Sequence, residues 1–497
     1  MKKIISLTLC LVMLLTLSAP AFAAEDILCP HVFVPGIATS PVYTDKDNPT
    51  DDILDITNEE ITELVTSELA PAFVVYAADK DADKLAKSVS ESLNEFFAGW
   101  FNNSDGTAKG NSGAILKYPS EAYINKAGTC IFDYDWRGDP VEIAAQLNDY
   151  INYVTDNGKY DKVTLSSHSM GSLVIVAYLS IYGYDKVQGV VLDTPTIDGV
   201  TYIGELFCGE AEITSDAIAA YLEGVLGFTD YQELLESVLD ILVMAGMTDS
   251  LSDFLDGALK KIYPTLFKET LLPLFGYWPS IWAMVPEESI DSAMEYIFDE
   301  YCKGQDLSVL RGKVESYNTL VRASRKETLR EFDEKGRMAV ISRYGYSSLP
   351  LTGSWQLLGD CVVETRSNSL GATTAPAGEC FGDDYLEGKD MKYISPDKTV
   401  DASTCLFPEK TWFIKNLAHM EVSDAMPLHI ELLYSQQEAT CDSFTTPRFT
   451  VFNSQTESFD TDESVPEKNE KLTPMEMLFN FLKALVEKII NFFTGKK

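Results

Sequence analysis

Positive charge and histidine are both scarce in this chain of 497 residues. It carries 39 lysines and arginines against 76 aspartates and glutamates, which gives a formal net charge of -37. Such an acidic body repels phosphate backbones, so nucleic-acid binding is not expected. Only four histidines occur, and the sequence has neither a Cys-x-x-Cys pair nor a histidine-rich cluster with metal-ligand spacing. A structural metal site is therefore not expected.

Long apolar runs are missing except at the N-terminus. Residues 1–24 begin with two lysines after the methionine, continue with an apolar stretch and end in a small-x-small cleavage pattern. This layout is typical of a secretory signal peptide, and the apolar stretch is too short to favour a permanent membrane span. We therefore expect a mature chain that starts near Ala24 and is secreted or otherwise extracytoplasmic.

Eight cysteines follow the predicted signal peptide. An even number in an exported protein permits disulfides, but the sequence does not determine their pairing. Cys29 and Cys130 each precede an apolar segment of strand length, so they would be neighbours if those two strands pair. Buried free thiols are the alternative.

Short apolar segments of strand length alternate with helical patterns along much of the chain. This alternation predicts an α/β fold with a mostly parallel sheet. The predicted strands are residues 31–36, 130–136, 162–169, 189–195, 338–345 and 411–416, and the clearest helical patterns are residues 140–154 and 171–183.

Two long segments interrupt this alternation. Residues from about 40 to 125 combine an acidic loop with helical stretches, and residues 205–335 are almost entirely helical in pattern. We expect both to be insertions on the sheet and the second to be a helical lid or cap. The core is then formed by residues 25–204 and 336–451.

The C-terminal part of the chain has a different character. Residues 452–473 are polar and charged, which predicts a linker. Residues 474–497 carry one narrow polar stripe beside a wide apolar surface, which predicts an amphipathic helix. Its lysines outnumber its glutamates, so a membrane surface is one possible partner of this helix. Docking on its own domain is the other.

The stretch from Ser167 to Gly171, SHSMG, lies between a predicted strand and a predicted helix. A serine hydroxyl becomes a good nucleophile when a base removes its proton, and a strained strand-to-helix turn exposes it to base and substrate. The usual pattern of such a turn is GxSxG, and here Ser167 replaces the first glycine. Ser169 is thus the candidate nucleophile, and an ordinary turn is the alternative.

A nucleophile at this place requires an acid and a histidine further along the chain. His31 precedes Ser169, and His168 belongs to the turn, where its ring is expected to point away from the serine. His419 follows the last predicted strand, as a catalytic base should. His429 lies within the next helical pattern and is more typical of a packing or surface residue. We therefore predict His419 as the base.

The acid and the oxyanion donors are predicted from their positions. Asp360 follows the strand at 338–345 after a short connection, where a carboxylate could hold the imidazole of the base. Asp193, at the end of the preceding strand, is the alternative. The backbone amide of Met170 and that of Ile37, which follows Gly36 after the first strand, are the candidate oxyanion donors.

Six motifs in this order, VFVPGI, YDWRGDP, SHSMGS, WPSIWAMVP, GDCVVE and AHMEV, resemble the lecithin:cholesterol acyltransferase family of α/β hydrolases, which includes lysosomal phospholipase A-type enzymes. The resemblance covers roughly residues 30–430 and matches poorly in both insertions. It implies an α/β-hydrolase fold, a triad of Ser169, Asp360 and His419, and an oxyanion hole at Ile37 and Met170. It also implies a lid or lipid-contact region in the inserted segments.

The expected activity is that of a secreted serine acyl-ester hydrolase of lipase or phospholipase type that needs no cofactor. The family transfers an acyl group from a lipid ester to water or to an alcohol. Because both acceptors use the same triad, an O-acyltransferase is the alternative. An inactive surface or binding protein on a hydrolase scaffold is a third possibility, which the complete set of three residues disfavours.

Overall fold

The computed structural model describes residues 29–57, 60, 63–212, 217, 251–453 and 458–461. The predicted signal peptide and C-terminal amphipathic helix lie outside the described residues, as do much of the predicted linker and part of the predicted lid. Among the described residues, no helix is both long enough and apolar enough to cross a membrane.

The described residues form strands and helices that alternate along much of the chain. The strands are β1 (His31–Val34), β2 (Val42–Tyr43), β3 (Gly113–Ala114), β4 (Thr129–Ile131), β5 (Val163–His168), β6 (Val187–Asp193), β7 (Arg337–Tyr344), β8 (Tyr346–Ser347), β9 (Leu358–Gly359), β10 (Thr373–Thr374), β11 (Val400–Asp401), β12 (Thr411–Lys415), β13 (Phe449–Asn453) and β14 (Ser458–Asp460). The α-helices are α1 (Ala70–Asp79), α2 (Ala82–Phe96), α3 (Glu121–Ile124), α4 (Pro140–Asp156), α5 (Gly171–Tyr182), α6 (Thr201–Phe207), α7 (Leu251–Leu266), α8 (Pro279–Ala283), α9 (Ile290–Met294), α10 (Ser308–Tyr317), α11 (Arg325–Asp333), α12 (Thr365–Asn368), α13 (Asp383–Leu386) and α14 (Val422–Tyr434). Segments of π-helix are Leu64–Leu69, Phe267–Gly276, Glu295–Tyr301 and Asn318–Arg322.

Eight of these strands form one sheet in the order β14-β13-β12-β7-β6-β5-β1-β4. Neighbouring strands run parallel except for the antiparallel pair β13 and β14. All six strands predicted from the sequence lie in this sheet. The fold is α/β with a mostly parallel eight-stranded sheet, an arrangement compatible with an α/β-hydrolase-like fold. In a parallel sheet the carboxyl ends of neighbouring strands meet at one edge, where binding sites are usually built.

Helices cover both faces of the central strands. On one face, Val190 and Leu192 of β6 belong to the large core that includes α4 and α5. On the other face, Val191 packs with Leu428 and Leu432 of α14 in a separate core. Successive residues of a strand point to opposite faces, so burial of both faces explains why β6 is apolar throughout.

The two long insertions depart from the sheet between neighbouring strands, the first between β1 and β4 and the second between β6 and β7. Their helices pack against each other although they are far apart in sequence. Tyr76, Leu85 and Val89 from α1 and α2 form one apolar cluster with Ala258 and Ile262 of α7. The insertions therefore share one cap layer.

The prediction that a polar linker begins at residue 452 is wrong, because strands lie there. Residues 449–453 and 458–460 form β13 and β14, the two strands at one edge of the sheet. In β13, Thr450 and Phe452 are buried while their neighbours are partly exposed. The alternation of buried and partly exposed residues extends over only five positions. Many Ser, Thr and Glu residues follow it, and this polar composition led to the prediction of a linker.

Gly171, the first residue of α5, lies directly against β1. A Cβ atom at this position would approach the Val34 carbonyl oxygen to 2.1 Å and the Pro35 carbonyl oxygen to 2.7 Å. Only glycine permits this close approach of helix and strand, which sets the position of the serine turn before α5.

We predict that Gly171→Ala lowers the free energy of unfolding by about 2–3 kcal/mol, because the added methyl group must push α5 away from β1. Gly312→Ala is the matched control, since Gly312 lies on α10 with open space around its Cα. This change should stabilise the protein by about 0.5–1 kcal/mol. Urea unfolding monitored by circular dichroism measures both, and equal stability of the two variants would contradict the prediction.

Candidate active site

Ser169 occupies a strained turn between β5 and α5. Its φ angle is +52°, in the left-handed region that non-glycine residues seldom adopt. The Ser169 amide donates a hydrogen bond to the carbonyl oxygen of Asp193, at 2.9 Å, which ties the turn to the end of β6. Strain of this kind concentrates at functional sites, where the surrounding structure must hold it.

Small residues surround the serine turn. A Cβ atom on Gly36 would lie 2.9 Å from the Cβ of Ser169, so glycine lets the loop after β1 pass directly over the serine. Ser167, which replaces the first glycine of the usual pattern, is fully buried in β5. Its hydroxyl has no hydrogen-bond partner among the described residues. Ser167 therefore fits into the strand, but its buried hydroxyl costs free energy because it forms no hydrogen bond with a described residue.

The structure brings Ser169, His419 and Asp360 together. The Nε2 atom of His419 lies 3.0 Å from the Oγ of Ser169, and its Nδ1 atom lies 2.9 Å from the Oδ2 of Asp360. In the tautomer that suits both contacts, the Ser169 hydroxyl donates to Nε2 and the Nδ1–H group donates to Asp360. All three residues are buried. These distances allow His419 to take the Ser169 proton.

Backbone contacts fix the acid beside the histidine. Asp360 follows β9, and its Oδ1 atom accepts hydrogen bonds from the amides of Val362 at 3.1 Å and Val363 at 2.7 Å. The amide of His419 donates to the Asp360 carbonyl oxygen at 2.9 Å. One carboxylate oxygen is therefore held by its own loop, and the other is directed to the imidazole.

Asp360 is ionised despite complete burial. Burial opposes the charged form, but the electrostatic interaction with the His419 ring and the hydrogen bond from it outweigh burial and hold the pKa of Asp360 below its ordinary value. An ionised carboxylate at Nδ1 fixes the imidazole tautomer and stabilises the imidazolium that forms when the serine proton is transferred.

Asp193, the alternative acid, has other partners. It is fully buried at the end of β6 and pairs with Arg343, whose Nη2 atom lies 2.5 Å from Oδ2. His168 Nδ1 and His429 Nε2 lie 3.3 Å and 3.2 Å from the same oxygen. The geometry therefore assigns the carboxylate beside His419 to Asp360.

The remaining histidines form a buried layer behind the site. His31 Nε2 lies 2.7 Å from the Oγ of Ser166, which lies 3.1 Å from Nδ1 of His429. The His168 ring hydrogen-bonds to Asp193 and not to Ser169, but it stays close to the site, since its centroid is 4.7 Å from that of His419 and it lines the adjacent cavity. Burial lowers the pKa of His168 to about 4, so this ring is neutral near pH 7.

Sequence reasoning missed Arg343. It lies in β7, a strand of the parallel sheet that is buried on both faces. A charged residue inside such a strand is rare unless it is paired. The arginine in the predicted strand at 338–345 was thus the signal that could have revealed a buried ion pair.

The candidate oxyanion donors belong to segments that adjoin Ser169. Met170 is the next residue in the chain, and Ile37 follows Gly36 in the loop that passes over the serine. Within the described part of the chain, the amides of Ile37 and Met170 donate no hydrogen bond. Two free amides near a nucleophile are what a developing oxyanion requires.

A cavity of about 510 Å³ opens beside Ser169 and His419. Trp100 from the first insertion and Lys260 from the second belong to its wall. Most of the wall is apolar, and the largest share comes from the segment between β6 and β7. These side chains are Val200, Ile203, Leu206, Phe207, Phe267, Leu271, Leu272, Phe275, Trp278, Ile281 and Met284. An apolar cavity of this size suits a ligand with a long apolar part.

No group of three or more His, Cys, Asp or Glu side chains among the described residues could hold a metal ion. The eight described cysteines are free thiols. β1 and β4 do pair, with Val32 opposite Cys130, but Cys29 and Cys130 are not bonded to each other. Burial raises their thiol pKa values to about 11 and about 12, which makes them unreactive near pH 7.

No protein-family model matches the chain, and no curated protein sequence matches it. A solved structure that is similar to part of the chain is titled "The crystal structure of Tle4-Tli4 complex", with 13% sequence identity over 63% of this chain and 75% of the other. The TM-score is 0.26. A score this low supports no conclusion about function, which must be inferred from the site itself.

We predict that His31 makes folding sensitive to acid. Burial, with a smaller contribution from His429, lowers the His31 pKa to about 3 in the folded protein, against 6.5 as its ordinary value. Between these two pKa values the unfolded chain binds a proton at His31 that the folded protein does not bind. Neutral His31 therefore imposes no cost on the free energy of unfolding above pH 6.5, and this free energy decreases as the pH falls below 6.5.

His31→Gln removes the titrating group and provides the comparison. The free energy of unfolding of the wild type, relative to this variant, should decrease by up to about 1.4 kcal/mol for each pH unit below 6.5. Urea unfolding at pH 7.5, 5.5 and 4.5 measures the difference. A difference that stays constant across this range would exclude the effect.

Proposed function

We propose that this protein is a serine acyl-ester hydrolase of lipase or phospholipase type, related to the lecithin:cholesterol acyltransferase family. The observation that carries the proposal is the hydrogen-bonded line from Asp360 through His419 to Ser169, which ends at an apolar cavity of about 510 Å³. A nucleophile, a base and an acid in this order are the requirements of acyl transfer through a covalent intermediate.

The reaction begins when Ser169 Oγ attacks the ester carbonyl carbon and His419 Nε2 takes the hydroxyl proton. The amides of Ile37 and Met170 stabilise the negative charge on the carbonyl oxygen. His419 then donates its proton to the departing alkoxide, leaving an acyl group on Ser169. Water, activated by the same histidine, releases the acid and restores the free serine.

The cavity supports a lipid-like ester as the substrate. Its wall is formed mainly by apolar side chains of the segment between β6 and β7, and burial of an acyl chain among them contributes about 0.8 kcal/mol per methylene group. We assign the cap layer the role of a lid over Ser169. Export from the cytoplasm and contact of residues 474–497 with a membrane surface are part of the same proposal.

We predict that a fluorophosphonate probe labels the purified wild type and does not label Ser169→Ala. His419→Ala should slow labelling by about 10²- to 10⁴-fold, because the serine loses its general base. Labelling is followed by fluorescence after electrophoresis, with detergent present to open the cap. A folded wild type that remains unlabelled would exclude an activated serine and favour a binding protein on this scaffold.

A second experiment on the purified wild type determines whether water or an alcohol accepts the acyl group. A labelled acyl ester is supplied with and without an alcohol such as a sterol, and the products are separated by chromatography. We expect mainly the free acid. Transfer of most of the label to the alcohol would assign the protein as an O-acyltransferase, with Ser169, His419 and Asp360 in the same roles.

We predict that Leu272→Trp shortens the acyl chain that the cavity accepts, because Leu272 is buried in the cavity wall. The ratio of p-nitrophenyl laurate to p-nitrophenyl acetate hydrolysis should fall about fifty- to two-hundred-fold, since three or four methylene groups lose their burial. Leu320→Trp is the control, because Leu320 is 47% exposed and lies outside the cavity. If both esters lost activity equally, the cavity would not be the acyl site.

A further inference from the structure

A second buried ion pair lies behind the line of Ser169, His419 and Asp360. Asp193 and Arg343 are both fully buried, at the ends of the neighbouring strands β6 and β7. Arg343 Nε donates to Asp193 Oδ1 at 3.0 Å, and Arg343 Nη2 donates to Oδ2 at 2.5 Å. The pair is thus bidentate, an arrangement in which the planar guanidinium has one fixed orientation.

The opposite side of the guanidinium holds the loop that carries His419. Arg343 Nη1 donates to the carbonyl oxygen of Ala418 at 2.8 Å, and it also approaches the carbonyl oxygens of Glu421 at 3.3 Å and His419 at 3.4 Å. The backbone on both sides of the histidine is therefore held by one side chain.

The Asp193 residue also holds the nucleophile turn. Its carbonyl oxygen accepts the Ser169 amide at 2.9 Å, and its carboxylate accepts a hydrogen bond from His168, the residue before Ser169. Backbone and side chain of one residue thus contact the serine turn, while Arg343 connects the same residue to the histidine loop.

We propose that Arg343 and Asp193 are positioning residues that set the distance between Ser169 Oγ and His419 Nε2. This inference rests on the proposed function, in which that distance governs proton transfer. Neither side chain reaches the reacting atoms, so neither is a catalytic residue.

The planar guanidinium group of Arg343, with several N–H donors in a fixed arrangement, is what allows it to hold Asp193 and the histidine loop together. A lysine at position 343 keeps the positive charge beside Asp193, but a single ammonium group lacks the planar fork that spans the carboxylate and the carbonyl oxygens of the histidine loop. Arg343→Lys therefore separates the positioning role from the mere need to neutralise a buried carboxylate.

Arg448→Lys is the matched control. Arg448 is also buried, and its guanidinium also joins a carboxylate to a backbone carbonyl, those of Glu409 at 2.9 Å and Lys392 at 2.7 Å. It precedes β13 near the edge of the sheet and contacts none of the residues of the candidate site.

The first measurement is the low-field proton resonance of the His419 Nδ1–H group, assigned by its loss in His419→Ala. This resonance reports the hydrogen bond to Asp360 whether or not the protein is an enzyme. We expect the resonance to be lost or broadened in Arg343→Lys and retained in Arg448→Lys. Retention of an unchanged resonance in a folded Arg343→Lys protein would overturn the inference.

The second measurement is the rate of fluorophosphonate labelling. Arg343→Lys should slow labelling about ten- to hundred-fold, as expected when a base moves by about 1 Å. In a His419→Ala background the same change should alter the residual rate less than about threefold, because the effect passes through the missing base. Equal slowing in both backgrounds would indicate general destabilisation and reject positioning.

Asp193→Asn is the second variant if Arg343→Lys fails to fold, with the same expected losses of resonance and of labelling rate. Wild type that shows the resonance but no labelling would reject the proposed function while the resonance of Arg343→Lys still decides the positioning role. Wild type that is labelled, beside an Arg343→Lys protein labelled at the same rate, would reject the positioning role alone.

Discussion

Four strands that are distant in sequence must end at one edge of the sheet for this site to exist. Ser169 follows β5, Asp193 ends β6, and His419 follows β12, with β7 between the last two. The parallel order of these strands brings Ser169, Asp193 and His419 to one edge, and the long segment between β7 and β12 adds Asp360. Close packing of the loop after β1 against α5 then determines where the serine turn lies.

Burial makes charge pairing obligatory at this edge. An unpaired carboxylate in the protein interior would be protonated or would destabilise the fold. Asp360 avoids this with two backbone amides and an imidazole, and Asp193 avoids it with a guanidinium and two imidazoles. The two carboxylates thus bind different partners at the same edge of the sheet. Asp360 contacts the proposed base, His419, whereas Asp193 lies behind it and pairs with Arg343.

The strands of the sheet could be predicted because their signals are local, and the candidate residues were chosen from their places along the chain. Buried parallel strands are continuous apolar runs, and with only four histidines in the chain the choice of His419 followed from the order of the segments. Arg343 escaped prediction because its role depends on Asp193, which lies 150 residues earlier. The contact between α2 and α7 is equally non-local, since it joins the two insertions. β13 and β14 were missed because short half-buried strands leave a weak pattern among polar residues.

All four histidines of the chain are buried at or behind this edge, so the exterior carries no imidazole. Imidazole is the side chain whose unperturbed pKa lies between pH 5 and 8. The outer surface consequently keeps nearly the same strongly negative charge across that range. Encounters with charged molecules or surfaces will therefore respond to ionic strength, through screening, much more than to the acidity of the surroundings.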